Sequence, residues 1–555
     1  MKRHIDMNLF SRSTAPEDEQ TDLSLPPLTL MAPHPVPHAA PAQVTWADDL
    51  GLEELLATLT IDRRHRTFVR GVLTNLQTDD RVIAWRQAVL GDLLRNPELT
   101  DALQGLLSSL ASLGQDTAML GRRRRSLLLE TSDRLSELDL YVELVQQLHD
   151  LLTAANLESE ALLALRDALA EVLQNPEYAQ LREKLPALRE PLQNIGSITV
   201  AINLDLDLKP QSAVLVSINQ REVGEPVPLL GKLFNNIVPG EAPVAGAAPV
   251  HRFPEDYEMR KYNELFQDMN KLLQATAKPI ANELRKYVKV SSRTLVLLEP
   301  ELAFFIAAAR MVQHGRARGI PFTAPVARLA DERVTLIDDL HNVQLVLRDE
   351  KTVASTVQFD DTGRVGVLTG PNSGGKTTYL RSVGGAQILF QAGVYIPAAS
   401  AQMSPVSRIL THFPRLETRE QGRLAEEAER LRTLFTAMDD NSLVLLNETF
   451  SSTAFGEALY LAQDILSALC AKGVRAVFAT HLVELVGRFS EIESAVSANS
   501  TLCSLVAGIQ ITEDGSPTPT YRVTRGEPLG RSYAQEIARK YGISLNQILD
   551  AGETS

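Results

Sequence analysis

The sequence predicts an α/β protein in which a strand–helix alternating C-terminal domain follows a mainly α-helical region with a small β insertion. Three observations carry this. From about Arg333 onward, short β-rich runs such as "RVGVLTG", "NSLVLLNE" and "VRAVFATH" alternate with helical stretches, the pattern of strands joined by helices. Upstream, from "WADDLGLEELLATL" to about Gln193, the chain is rich in Leu, Ala and Glu with few breakers, and Leu138, Val142, Val145 and Leu152 recur at helical spacing. Between these parts the period changes: "SITVAINLDLDL" and "SAVLVSINQ", separated by "KPQ", read as a strand pair.

Taken in order, residues 1–45 include "LPPLTLMAPHPVPHAAPAQ". Proline at that density removes backbone donors and predicts a disordered leader or linker, with a proline-motif ligand as the other reading. Residues 46–335 are predicted to form a helical core and lever, with a β tip at about 196–220. After the Gly/Pro/Ala-rich "GEAPVAGAAPVHRFPED" helix returns, with Tyr262, Phe266, Met269 and Leu273 on one apolar stripe that ends near Pro279. A chain that runs out, turns through a compact tip and comes back describes an arm. Residues 336–555 form the α/β domain, in which "KTTYLRSVGGAQILFQAG" and "AFGEALYLAQDILSALCAKG" are helices, the second closed by Gly473.

The 555 residues exceed one ordinary domain, and an apolar fraction of 44% is that of a globular chain. A net charge of −14 excludes a broadly basic nucleic-acid surface and leaves room for a local basic groove. Cys470 and Cys503 form no ligand pattern and read as packed, reduced thiols. The basic residues of "MKRHIDMNLFSRS" are followed by no apolar run, and no segment is apolar for long enough to span a membrane. The expectation is a cytoplasmic protein with no membrane partner.

The chemistry concentrates in three motifs. Gly370-Pro371-Asn372-Ser373-Gly374-Gly375-Lys376-Thr377 matches G-x-x-x-x-G-K-[ST] between a strand and a helix, and Thr378 follows. Gly374 and Gly375 let backbone N–H groups turn toward phosphate oxygens, beside the positive end of the helix. Lys376 would reach the β and γ phosphates and the Thr377 hydroxyl would ligate Mg²⁺, so ATP with magnesium is the expected ligand. The second motif, "SLVLLNET", places Glu448 as a general base for the attacking water. Asn447 stands where an Asp usually holds the magnesium shell; its amide bonds a bound water without adding charge, predicting slow or conditional hydrolysis. Third, "FATH" sets His481 at the end of a buried strand, where it senses the γ-phosphate.

These segments carry a family resemblance. "TGPNSGGKTTYLRSVG", "SLVLLNETFSSTAFGEALYLA" and "VFATHLVEL" resemble the C-terminal ATPase domain of the MutS DNA mismatch-repair family, and "YRVTRGEPLGRSYAQEIARKYGIS" is similar to its closing segment. "LIDDLHNVQLV" occupies the place of that family's RHP motif. The resemblance is specific across about 336–545; upstream, a helical region with a β tip suits the family's core, lever and clamp. It implies an ABC-type ATPase and a homodimer whose two nucleotide sites are each completed by the other subunit. The completing segment would be "ETREQGRLAEEAERL". Gly422-Arg423 replaces the usual Ser-Thr pair there, and Arg423 is either an arginine finger on the partner's γ-phosphate or a solvated helix residue. Ser451, Ser452 and Thr453 match the hydroxyl-rich turn after the base.

Mismatch-recognising members carry a Phe-x-Glu wedge that unstacks a base; "HRTFVRG" has the Phe without the Glu. Two functions stay open. One is an ATP-gated dimeric DNA clamp for repair or recombination structures, alongside proteins of those pathways, with Arg63–Arg66 and Arg122–Arg125 as phosphate contacts or merely solvated charge. The other is an ATP-driven switch acting on a protein partner without DNA. A helix-turn-helix use of "AQEIARKYGISLNQI" is a further possibility, weakened by its scarcity of basic residues.

Overall fold

Helices make up most of the described residues between 52 and 193, where apolar residues recur every three or four positions and short polar residues cap segments. In the computed structural model, α1 (Leu52–Thr58), α2 (Arg66–Thr74), α3 (Asp80–Arg95), α4 (Pro97–Met119), α5 (Leu127–Ala154), α6 (Glu160–Gln174) and α7 (Pro176–Gln193) follow one another. Asp79 caps α3 by accepting from Arg81 N. On α5, Leu138, Val142, Val145 and Leu152 are all buried. The described residues are 22–35, 37–119, 127–193, 197–204, 210–219, 277–287, 289–414, 423–450, 453–497, 499–511, 517–528, 544 and 547. Outside them lie the stripe Tyr262–Leu273, the run Arg122–Arg125, Gly422, Ser451, Ser452 and most of the 534–548 segment.

The chain divides into two compact units. One comprises Met1–Pro27, Ser108–Leu151 and Arg166–Val296. It contains the antiparallel pair β1 (Ser197–Leu204) and β2 (Pro210–Asn219). Within it Leu23 and Leu25 are buried, Tyr141 donates its hydroxyl to Leu23 O, and Thr294 donates to Leu25 O.

The other unit comprises Leu28–Leu107, Leu152–Leu165 and Leu297–Ser555. Here too the N-terminal segment is packed. Leu30 and Met31 are buried, and Glu301, on α8 (Arg293–Ala317), accepts from Leu30 N at 2.7 Å and from Thr29 Oγ1 at 2.8 Å. The expected disorder of residues 1–45 therefore does not hold for residues 22–35 and 37–45. Leucines interleaved with the prolines have apolar surface to bury, and proline leaves fewer N–H donors needing partners.

Two sheets build this unit. The smaller has the order β3 (Val326–Ala327), β7 (Ser400–Met403), β4 (Thr335–Leu340), β5 (Ser355–Phe359); the short α9 (Val343–Leu347) follows β4. The larger runs β12 (Pro517–Arg525), β11 (Leu502–Ile511), β6 (Val365–Thr369), β10 (Arg475–Ala479), β9 (Ser442–Asn447), β8 (Arg408–His412). All its pairings are parallel except β11 with β12. β6, β9 and β10 are buried at every position, as strands covered on both faces must be.

One face carries α10 (Lys376–Ala392), whose Gly384 approaches so closely that a Cβ there would lie 3.1 Å from Leu445 Cδ1. Against the other, Val365, Val367, Val444, Leu446 and Phe478 form one cluster with Leu431 and Leu434 of α11 (Arg423–Ala437) and Leu459, Ala462 and Leu466 of α12 (Phe455–Lys472). Arg475, fully buried at the start of β10, donates to Val334 O, Ser404 O and Pro405 O and to the side chains of Thr335 and Asn441. Burial pushes its pKa down to about 9.

Candidate functional site

Three parallel strands deliver the motif residues to one edge of the larger sheet. In the register, Ala479 of β10 stands opposite Leu368 of β6 on one side and Asn447 of β9 on the other. The residues that follow each strand, Gly370 to Thr378, Glu448 and His481, therefore leave the sheet at the same level. Two backbone bonds fix that level: Glu448 N donates to Ala479 O at 2.8 Å and Thr480 N to Leu368 O at 2.9 Å. Carboxyl ends of parallel strands are where open α/β sheets gather ligand groups.

The loop from β6 to α10 needs its glycines. Gly370 sits at φ 145 with Ala507 Cβ only 2.7 Å from where its own Cβ would be, and Gly375, at φ 93, precedes the first residue of α10. Ser373 is also left-handed, at φ 64, and Gly374 N donates to Pro371 O at 3.1 Å. Pro371 and Gly374 are buried while Asn372 and Ser373 are exposed.

Lys376 is buried, and its Nζ lies 3.0 Å from Gly370 O, 3.2 Å from Pro371 O and 3.5 Å from Glu448 Oε1. The cation is thus curled into its own loop, within reach of Glu448. Thr377 donates to Asn447 Oδ1 at 3.4 Å, and Asn447 is buried. Thr378 sits in the same first turn, where Asn342 Nδ2 bonds its carbonyl at 3.3 Å and Ser382 Oγ at 3.2 Å. Asn342 also caps α9 by accepting from Leu345 N, so "LIDDLHNVQLV" braces the start of α10. His481 is exposed, just past the end of β10. The sequence-predicted residues Gly370–Thr378, Asn447, Glu448 and His481 are all brought to this edge.

Beside Gly375 and Thr378 opens a cleft of about 670 Å³, also lined by Asn342, Tyr379, Pro519 and Tyr521. Tyr521 is left-handed at φ 58, half exposed, and 3.4 Å from the position of a Gly375 Cβ. Sequence reasoning missed it, because nothing in "PTPTYRVTR" marks its tyrosine as the neighbour of a glycine so remote in the chain.

A magnesium ion fits the donors present. Among the described residues no group of three or more His, Cys, Asp or Glu is placed to hold a metal. The neighbouring neutral oxygens of Thr377 and Asn447 suit an ion that takes most of its shell from phosphate and water.

Apart from His65, the basic run lies on the surface. Arg64 bonds Glu299 at 2.8 Å and Arg66 pairs with Glu53, while His65 is buried against Glu299. Arg63 is exposed. No helix of the described residues is long and apolar enough to cross a membrane.

Comparison with known proteins adds two family matches: the MutS2 N-terminal domain over residues 78–316 and MutS domain V over residues 366–554. Among similar proteins, a DNA mismatch repair protein MutS from Thermotoga neapolitana is 27% identical over 333 residues, covering 55% of this chain and 39% of the relative. Another MutS, from Brevibacillus brevis, is 33% identical over 162 residues, 28% of this chain and 19% of its own length. An Endonuclease MutS2 from Staphylococcus epidermidis is 28% identical over 275 residues, 48% of this chain and 33% of the relative. Each match thus spans less than half of the relative's own length.

Proposed function

From the premise that the chain belongs to the MutS family, we propose that it is an ABC-type ATPase that works as a homodimeric, ATP-gated DNA clamp in repair or recombination. The observation carrying this reading is the convergence of Lys376, Thr377, Asn447, Glu448 and His481 at the carboxyl ends of three adjacent parallel strands.

In this reading the loop amides and the N-terminus of α10 receive the phosphates. The Lys376 ammonium exchanges its present carbonyl and carboxylate neighbours for β- and γ-phosphate oxygens. The cleft beside Tyr521 takes the nucleoside. Magnesium, when bound, neutralises the phosphate charge, with Thr377 and Asn447 holding it directly or through water. Glu448 then orients a water and accepts its proton as the water oxygen attacks the γ-phosphorus. The bond to the β–γ bridging oxygen breaks, giving ADP and phosphate. His481 contacts the γ-phosphate and registers its loss. A partner's 417–431 segment, Arg423 included, completes the site.

Lys376→Ala tests the site: MgATP turnover should fall at least a hundredfold. DNA is tested by titrating duplex, four-way junction and single strands at 50 and 200 mM salt, with and without a non-hydrolysable ATP analogue. A clamp binds in an analogue-dependent manner and weakens steeply with salt; no analogue-sensitive binding at low salt removes the DNA role. One observation favours the second reading, a switch acting on a protein partner: Arg64 and Arg66 are engaged by Glu299 and Glu53 in a chain of net charge −14.

A further inference from the structure

The turn that carries Glu448 is held in a conformation it would not adopt alone. Glu448 has φ 49 and Phe450 φ 65, both in the left-handed region that non-glycine residues avoid at a cost. Two side chains from other elements grip it. Phe450 N donates to Glu427 Oε1 at 2.8 Å, a charge-assisted bond reaching across from α11. The Thr449 hydroxyl lies 3.2 Å from His412 Nδ1 at the end of β8, and both residues are buried. The Phe450 ring packs in the same cluster as Leu431 and Leu434 of α11.

We propose that Glu427 is a positioning residue for ATP hydrolysis: its carboxylate holds the Glu448–Phe450 turn in register, so that the setting of α11 governs where the Glu448 carboxylate stands. Glu427 touches neither substrate nor reacting atoms and acts only through the turn. Its helix begins at Arg423, inside the segment assigned to the neighbouring subunit's nucleotide. A displacement of that helix on dimer contact is transmitted to the base through one hydrogen bond. The inference rests on Glu448 acting as the general base.

The test compares Glu427→Ala, Glu427→Gln, Glu448→Gln and, as an exposed position on the same helix outside the completing segment, Thr436→Ala. Steady-state ATP hydrolysis, binding of a fluorescent ATP analogue and hydrogen exchange at the Phe450 amide are measured on the full chain. Expected for Glu427→Ala is a fall in kcat of about tenfold or more, the loss of one bond to a charged group, with analogue affinity within twofold of the parent. Its Phe450 amide should exchange faster. Glu427→Gln, which keeps an acceptor oxygen, should recover most of the turnover, and Thr436→Ala should change nothing. Overturning results are an unchanged kcat in Glu427→Ala, a loss of affinity parallel to the loss of turnover, or a Gln variant no better than Ala. A parent chain without turnover brings down the proposed function itself; turnover that needs Glu448 yet ignores Glu427 brings down this inference alone.

Discussion

Asn447 is the residue at which this site departs from the usual chemistry of its kind. Its amide oxygen accepts from Thr377 and the side chain is buried, so the position is structurally integrated while contributing no negative charge to the magnesium site proposed there. An aspartate there would strengthen the bond from Thr377 and hold a magnesium-bound water more tightly, since bonds to an ionised acceptor are roughly twice as strong as neutral ones. Asn447→Asp should therefore raise kcat for MgATP by roughly three- to tenfold. If steady-state turnover is flat or falls, the amide is an adapted component and not a weakened metal partner. Lys376 lies 3.5 Å from Glu448, so in the proposed reaction phosphate oxygens compete with that carboxylate for the lysine.

At the scale of elements, the helices and strands of the α/β part were legible because glycine marks their ends. Gly393 and Gly473 close α10 and α12 at φ 80 and φ 70, the left-handed cap that a Gly after an apolar run announces. Gly393 has a second constraint: a Cβ there would lie 2.2 Å from Arg86 Cβ, whereas at Gly319, φ 77, nothing approaches within 4 Å. The paired substitutions separate the two effects. Gly319→Ala should cost about 1 kcal/mol, from backbone strain alone. Gly393→Ala should cost about 2–4 kcal/mol, because overpacking adds to it; equal shifts in melting temperature would show that Arg86 moves freely. The sequence was a poor guide where the partner is remote. Glu427 and Phe450 are 23 residues apart, and Tyr521 meets Gly375 from a different edge of the chain's order. The N-terminal prolines misled for another reason. Their composition signals disorder, but Leu30 and Met31 beside them found buried places and Leu30 N found Glu301.

For the whole molecule, the proposed dimer makes a demand that a monomeric ATPase does not. If each nucleotide is held by Lys376 of one subunit and completed by Arg423 of the other, Lys376→Ala and Arg423→Ala are defects in opposite halves of the same site. Each homodimer is then inactive at both sites. When the two variants exchange subunits at equal concentration, half of the dimers are mixed. Every mixed dimer carries one intact site, built from the unaltered Lys376 of one chain and the unaltered Arg423 of the other, and one doubly defective site. Turnover should rise on mixing from near zero to about a quarter of the parent activity, if sites act independently. Additive, uncomplemented activity would make Arg423 a solvated helix residue and return the completing role to another part of the 417–431 segment. Pairing Glu427→Ala with Lys376→Ala discriminates further. Glu427 acts within its own chain, on the turn beside its own Lys376. The Lys376→Ala partner supplies only a completing segment, so mixing these two should restore nothing beyond the residual turnover of Glu427→Ala.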